Sequence, residues 1–226
     1  MSPPVLTSTS TIPDFPAFPA VPITAVMFDL GNVLLHFDHR LIASNLLRLA
    51  PDAALPDDDS TWRRLIHAAE TGALAAEDFL DAFTRVLGVE GRVSHADLAN
   101  AWCDMFWRND DILPVVEGLR GRVRLLLVSN TNALHLAFIR ERFADVLAPF
   151  DVEVYSHLEQ AAKPDPVVFR RALERAGVSP ASCLYFDDIR MHVHAATELG
   201  IHAYQFVSNA GVRDVLAAHA LPARGV

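Results

Sequence analysis

Four stretches of this chain end in polar residues whose chemistries complement one another. Asp29 follows ITAVMF, Ser129 and Asn130 follow VRLLLV, Lys163 stands before Pro164, and Asp187 and Asp188 follow CLYF. Taken singly, each has an ordinary reading. A strand-end Asp commonly caps a turn, Ser-Asn is turn chemistry, Lys-Pro suits a hydrated loop, and an Asp-Asp pair is most often simply solvated. Gathered in one place they say more. Carboxylates brought together repel and raise a pKa unless a cation stands between them, and for oxygen ligands the natural cation is Mg2+. A hydroxyl, an amide and a lysine beside such a centre match the oxygens of a phosphoryl group.

Bringing them together falls to the elements that carry them. Ile23–Asp29 is an apolar, β-rich run that breaks at Gly31 and Asn32, as a buried strand of a parallel sheet would. Similar runs recur at Val123–Ser129, Val152–Ser156, Cys183–Asp187 and His202–Val207. Helical segments separate them. Pro114 suits a first helical position, Asn132 starts ALHLAFIRERF, Pro166 opens a helix that Gly177 stops, and Gly200 closes MHVHAATELG. Strands alternating with helices predict an α/β fold with a doubly wound parallel sheet, which binds its ligand at the carboxyl ends of the strands.

Residues 38–111 break this rhythm. They show no strand-like run and four helical patterns, with Ser60 and Ser94 as N-caps and Gly72 and Gly88 as stops. The expected division is an α/β core of residues 23–37 and 112–226, an inserted all-helical cap domain over 38–111, and a disordered Pro-rich arm over 1–22. That arm lacks Lys and Arg and is broken by prolines, which argues against a secretory signal.

Bulk properties narrow the function. A chain of 226 residues with a net charge of -9 is a poor nucleic-acid binder, since phosphate backbones are held by surplus Lys and Arg. No apolar run is long enough to span a bilayer, so no membrane partner is expected. Cys103 and Cys183 stand far apart without a CxxC spacing, which fits two buried thiols in a reducing cytoplasm. Monomer and homodimer are both compatible with the sequence.

The motifs Phe-Asp29-Leu-Gly31-Asn-Val, Val-Ser129-Asn130-Thr, Lys163-Pro164 and Phe-Asp187-Asp188, in that order, resemble the four motifs of the haloacid dehalogenase superfamily from Ile23 to about Val207. Within it, Ser-Asn-Thr-Asn-x-x-His ending at His135 and Lys-Pro-x-Pro-x-x-Phe ending at Phe169 resemble the bacterial glucose-1-phosphate phosphatase group. The amino-terminal phosphatase domain of soluble epoxide hydrolases is a more distant likeness. The resemblance implies that Asp29 is a nucleophile that becomes an aspartyl-phosphate. It implies Mg2+ held by Asp29, the backbone carbonyl of Gly31 and Asp188, with Asp187 as second choice. Ser129, Asn130 and Lys163 would bind phosphate, and Lys163 would also offset charge on Asp29. The implied partner is a small phosphorylated substrate, a sugar phosphate in the leading reading.

Two positions depart from the superfamily pattern. Gly31 stands where most of its phosphatases carry an acid/base Asp, a group typically worth about 10²–10⁴-fold in rate. The glucose-1-phosphate phosphatase group also has Gly there, and an anomeric phosphate leaves as a more acidic hydroxyl. His36 or Asp38 is a candidate stand-in. His192 falls where relatives have Asp or Asn, and is expected to hydrogen-bond near the metal rather than bind it. Glu70, Arg63, Arg64 and Trp107 are candidates for the cleft, though a solvated or packing role is the commoner one, and His135 is expected near the site as a helix-start residue. Two other readings stand beside a Mg2+-dependent phosphatase: a catalytically weak relative that binds a phosphometabolite or protein, and a metal-independent 2-haloacid dehalogenase.

Overall fold

The computed structural model describes residues 21–55 and 60–223. In chain order, β1 (Ala25–Phe28) and β2 (Leu35–Phe37) lead to four helices: α1 (Arg40–Leu49), α2 (Ser60–Glu70), α3 (Ala76–Leu87) and α4 (His95–Cys103). Then come β3 (Phe106–Arg108), α5 (Leu113–Leu119), β4 (Arg124–Ser129), α6 (Ala133–Arg142), α7 (Ala144–Leu147), β5 (Val152–Tyr155) and α8 (Ser156–Glu159). The chain closes with α9 (Pro166–Ala176), a 3-10 turn at Pro180–Ser182, β6 (Cys183–Asp187), α10 (Arg190–Glu198), β7 (His202–Gln205) and α11 (Asn209–Ala218).

Five strands form one parallel sheet in the order β5-β4-β1-β6-β7. The chain winds outward from β1 in one direction through β4 and β5, then returns to its other side for β6 and β7. This is the doubly wound α/β arrangement, and its switch point lies at the carboxyl end of β1. Side chains alternate across the sheet. Val26, Phe28, Leu127 and Phe186 pack into one layer, while Met27, Val128, Cys183 and Tyr185 face the other. All four residues of β1 are sealed from solvent, which is why the strand reads as a continuous apolar run.

The helix boundaries follow local chemistry. The side chain of Asn132 caps α6 by accepting from the His135 N–H, and Ser94 caps α4 by accepting from Asp97. Gly88 and Gly177 end their helices in the left-handed region that glycine tolerates. Helix α2 begins at Ser60, whose side chain is outside those described. The Pro-rich arm lies outside the described residues as far as residue 20.

Helices α1–α4 bury their own apolar cluster around Phe79, Phe83, Leu98 and Trp102. One expectation fails here. The segment from 38 to 111 is not free of strand, because Phe106–Arg108 pairs antiparallel with Leu35–Phe37 in a short ribbon at the base of the four helices. Three residues are too few to show a period, and their partner lies some seventy residues away in the chain, so no local pattern announces the pairing. Among the described residues no helix is long and apolar enough to cross a membrane. Cys103 and Cys183 are both buried and free.

Candidate active site

The site grows from one rung of the sheet. Strand β1 is in register with both neighbours, Phe28 lying opposite Leu127 and Phe186. One residue further, Asp29 is level with Val128 and Asp187, and its N–H donates to the Phe186 carbonyl at 2.9 Å. Lys163 enters from the loop between α8 and α9 and touches all three groups of that rung. Its Nζ lies 2.8 Å from Asp29 Oδ1, 2.7 Å from Asp187 Oδ2 and 2.9 Å from the Val128 carbonyl oxygen. Three N–H donors meet three acceptors, so a lysine only 4% exposed is fully satisfied.

The two carboxylates are not equivalent. Asp187 accepts from Lys163, from the Tyr185 hydroxyl, from the Ile189 N–H at 2.8 Å and from His192 Nδ1 at 3.1 Å. Burial alone would raise its pKa, but the Lys163 ammonium and the His192 hydrogen bond outweigh it and hold the carboxyl below the usual range. Asp29 has fewer partners, its Oδ1 accepting from Lys163 and from the Leu30 N–H at 2.7 Å. Burial pushes its carboxyl up to about 6, with Lys163 pulling down and Asp187 adding to the rise. For Lys163, burial opposes the charge, yet the carboxylates of Asp29 and Asp187 raise its pKa and keep it an ammonium.

Ser129 and Asn130 follow β4. Ser129 is buried against the cavity. Asn130 does something its type and position did not announce: its Oδ1 accepts from the Lys163 N–H at 2.8 Å and its Nδ2 donates to the Lys163 carbonyl at 2.9 Å. The carboxamide thus clamps the backbone that presents the lysine. Thr131 also reaches the cavity, its N–H held at 2.9 Å by Ser156 Oγ.

Asp188 turns the other way from Asp187. It lines the cavity beside Asp29 and Gly31, and its Oδ2 accepts from Asn32 Nδ2 at 2.9 Å. Asn32 sits at φ 55°, a left-handed conformation that Asn tolerates. Asp29, the Gly31 backbone and Asp188 therefore border one space with oxygen donors, the set a hard divalent cation takes. Asp29, Asp187 and His192 also bring ligand atoms within 4.8 Å of one another. The Lys163 ammonium already stands between those two carboxylates, so the Asp188 side fits a cation better.

Gly31 has a steric reason to be glycine. A Cβ there would come within 2.9 Å of Phe37 Cε1. The place where a side chain would project is filled by a ring from β2.

The cavity measures about 280 Å3. Opposite the strand ends it is walled by Phe37, His39, Glu70, Met105 and Phe106, with His135 from α6. His135 was expected near the site, and Glu70, a candidate whose commoner role would be a solvated or packing one, does line it. Arg63, Arg64 and Trp107 do not line it. Neither proposed stand-in for the missing acid reaches it. His36 packs against the Trp107 ring on the ribbon, and Asp38 is held by Arg40 at 2.7 Å, which lowers its pKa. Phe37, His39, Met105 and Thr131 were missed, since nothing in a lone aromatic or Met distinguishes a cavity wall from a core. An open hollow of about 320 Å3 between α1, α4 and α6 contains none of the strand-end residues.

The chain belongs to the haloacid dehalogenase-like hydrolase family, whose model matches residues 23–200. It is similar to a phosphatase of Mycobacterium tuberculosis, 27% identical over 198 residues that cover 85% of this chain and 91% of that protein. It is similar also to a phosphorylated carbohydrates phosphatase of Thermotoga maritima, 28% identical over 185 residues, 78% of this chain and 82% of the relative. Among solved structures, a HAD family enzyme of Bacteroides thetaiotaomicron in its magnesium complex shares the fold, with TM-score 0.73, 24% identity and coverage of 82% of this chain and 94% of that one.

Proposed function

We propose that this chain is a Mg2+-dependent phosphatase that hydrolyses a small phosphorylated metabolite, a sugar phosphate in the leading case, through phosphorylated Asp29. The observation that carries the reading is the division of labour among the three acids. Asp187 is committed to Lys163, His192 and Tyr185, which leaves Asp29 and Asp188 facing the cavity. The Thermotoga relative, by its name, acts on phosphorylated carbohydrates, and the Bacteroides enzyme has been solved with magnesium and inorganic phosphate, which support the same class.

Each residue has a role set by its chemistry. Asp29 Oδ1 is tied to Lys163 and Leu30, so Oδ2, with no hydrogen bond among the described residues, is the oxygen left to attack phosphorus. The ester P–O bond breaks and its electron pair leaves with the organic oxygen; water then cleaves the acyl phosphate and returns the carboxylate. Lys163 offsets negative charge at Asp29 and on the transferred group, and Ser129 and the Nδ2 hydrogen that Asn130 does not give to Lys163 bind that group's oxygens. Mg2+, held by Asp29, the Gly31 carbonyl and Asp188, would supply charge neutralisation to the phosphoryl oxygens. With Phe37 filling the space at Gly31, the departing oxygen gets no carboxylic acid from that position, which suits a comparatively acidic leaving hydroxyl such as an anomeric one. The four helices over residues 38–111 act as the cap that closes on the substrate.

Phosphate release from a panel of sugar phosphates, with Mg2+ and with EDTA, tests the reading. Release should require the metal and vanish in Asp29→Asn. Chloride release from 2-chloropropionate without metal would replace it with the dehalogenase reading, and saturable binding without turnover would favour a non-catalytic relative.

A further inference from the structure

Among the described residues only two buried side-chain polar atoms lack a hydrogen-bond partner, Trp102 Nε1 and His135 Nε2, and their rings are neighbours. The rings stack with centroids 5.3 Å apart and planes 13° from parallel, while Phe106 meets His135 edge-on at 5.2 Å. A polar atom withdrawn from water without a partner is costly, and native proteins keep few of them.

The helix cap sets the tautomer of His135. Asn132 Oδ1 accepts from the His135 backbone N–H at 3.0 Å, which turns the other end of the amide, Nδ2, toward His135 Nδ1 at 3.2 Å. An amide NH2 only donates, so Nδ1 must accept and the ring hydrogen sits on Nε2. Burial, reinforced by His39, pushes the ring's pKa down to about 3, so it stays neutral at ordinary pH. His135 is 7% exposed, and it lines the cavity that holds Asp29 and Asp188.

We infer that, as the ring wall shifts to admit substrate and uncovers Nε2, His135 Nε2–H donates a hydrogen bond to an oxygen on the organic part of the substrate and so determines specificity; this rests on the phosphatase reading. The phosphoryl end already has the Ser129 hydroxyl and the charge of Lys163, so the unpartnered donor is left for the remainder of the molecule. A neutral donor among aromatic rings selects an uncharged acceptor, such as a hydroxyl or ring oxygen, over hydrocarbon. Glu70, half-buried on the same cavity, supplies an acceptor for hydroxyl hydrogens. Donor and acceptor together fit a polyhydroxylated substituent.

Two variants test this. His135→Phe keeps a ring on Trp102 and deletes the donor. Asn132→Asp keeps the cap but offers Nδ1 an acceptor, which moves the ring hydrogen to Nδ1 and leaves Nε2 without one. In each, kcat/KM for the preferred sugar phosphate should fall about tenfold, the scale of one lost hydrogen bond, while p-nitrophenyl phosphate changes less than about twofold. Equal loss on both substrates, or loss on neither, overturns the inference. Nitrogen NMR of His135 in the wild-type protein provides a readout free of turnover. An Nδ1–H tautomer, or an Nε2 signal that a saturating sugar phosphate does not move, also overturns it. If the wild type releases no phosphate from any ester, the phosphatase reading fails, and movement of the Nε2 signal by the sugar phosphate then decides the donor role alone.

Discussion

The strand-end rim and the wall that faces it line one cavity but are built on opposite rules. On the rim, Lys163, Asp29 and Asp187 are charged, buried and joined through contacts of 2.7–2.8 Å. On the wall, contacts are ring against ring, with Phe37 on His39 at 4.9 Å and on Phe106 at 6.1 Å, and one imidazole N–H has no partner. A charge in a buried network cannot move without stranding its neighbours, so the rim's geometry stays the same whatever sits before it. Uncharged ring contacts shift at small cost. On the proposed function, constancy of chemistry would belong to the rim and choice of substrate to the wall.

The sharpest way to break this contrast is Lys163→Met. Removing the shared ammonium leaves two buried carboxylates facing each other, which should cost about 3–5 kcal/mol of stability by urea denaturation and abolish activity. A loss below about 1 kcal/mol would show that the rim is not held by its charges.

A smaller effect is expected where rim and wall meet. Gly31→Ala drives a Cβ toward the Phe37 ring and should cost about 1–3 kcal/mol by overpacking. In a Phe37→Ala background the same change should cost much less, so a double-mutant cycle should reveal coupling. Strict additivity would mean that the ring leaves room at Gly31.

The smallest effect is a titration. In EDTA, carboxyl carbon NMR should find Asp29 titrating near its raised value of about 6 rather than its ordinary 3.8, with Asp187 ionised throughout. Because folding raises the Asp29 pKa, the folded state binds the proton more tightly. This group's contribution to stability therefore falls as pH rises from 3.8 to about 6. Asp187 works in the opposite sense: folding lowers its pKa, so its contribution is present above 3.8 and is lost as pH falls through the lower folded value. Mg2+ should lower the Asp29 midpoint. A midpoint near the ordinary value without metal would show that Lys163 outweighs burial.

Much of the rim was legible in the chain because strand ends announce themselves. An apolar run that stops at a polar residue puts that residue at the sheet's edge, and this located Asp29, Ser129 and Asp187 without coordinates. Asn130 was found for its amide, but its clamp on the Lys163 backbone could not be read, because it joins residues 33 apart whose separation carries no period. The wall was far less legible. Phe37 and Met105 look like any core residue, and His36 and Asp38 were better candidates on paper than His39, which the fold puts beside the cavity. Their neighbours in space are fixed by the β2–β3 pairing, which the pattern did not contain.

Asp187 and Asp188 mark the boundary between the two kinds of information. The sequence by itself determined that a pair of carboxylates ends β6, because periodicity and polarity are local properties of a chain. Only the tertiary structure decided that Asp187 is buried on Lys163 and His192 while Asp188 opens toward Asp29. Successive side chains leave a strand in opposite directions, and which direction meets the lysine depends on how β6 is seated against β1. The same holds at Gly31, where the chain shows a missing side chain and the fold supplies the ring that fills its place.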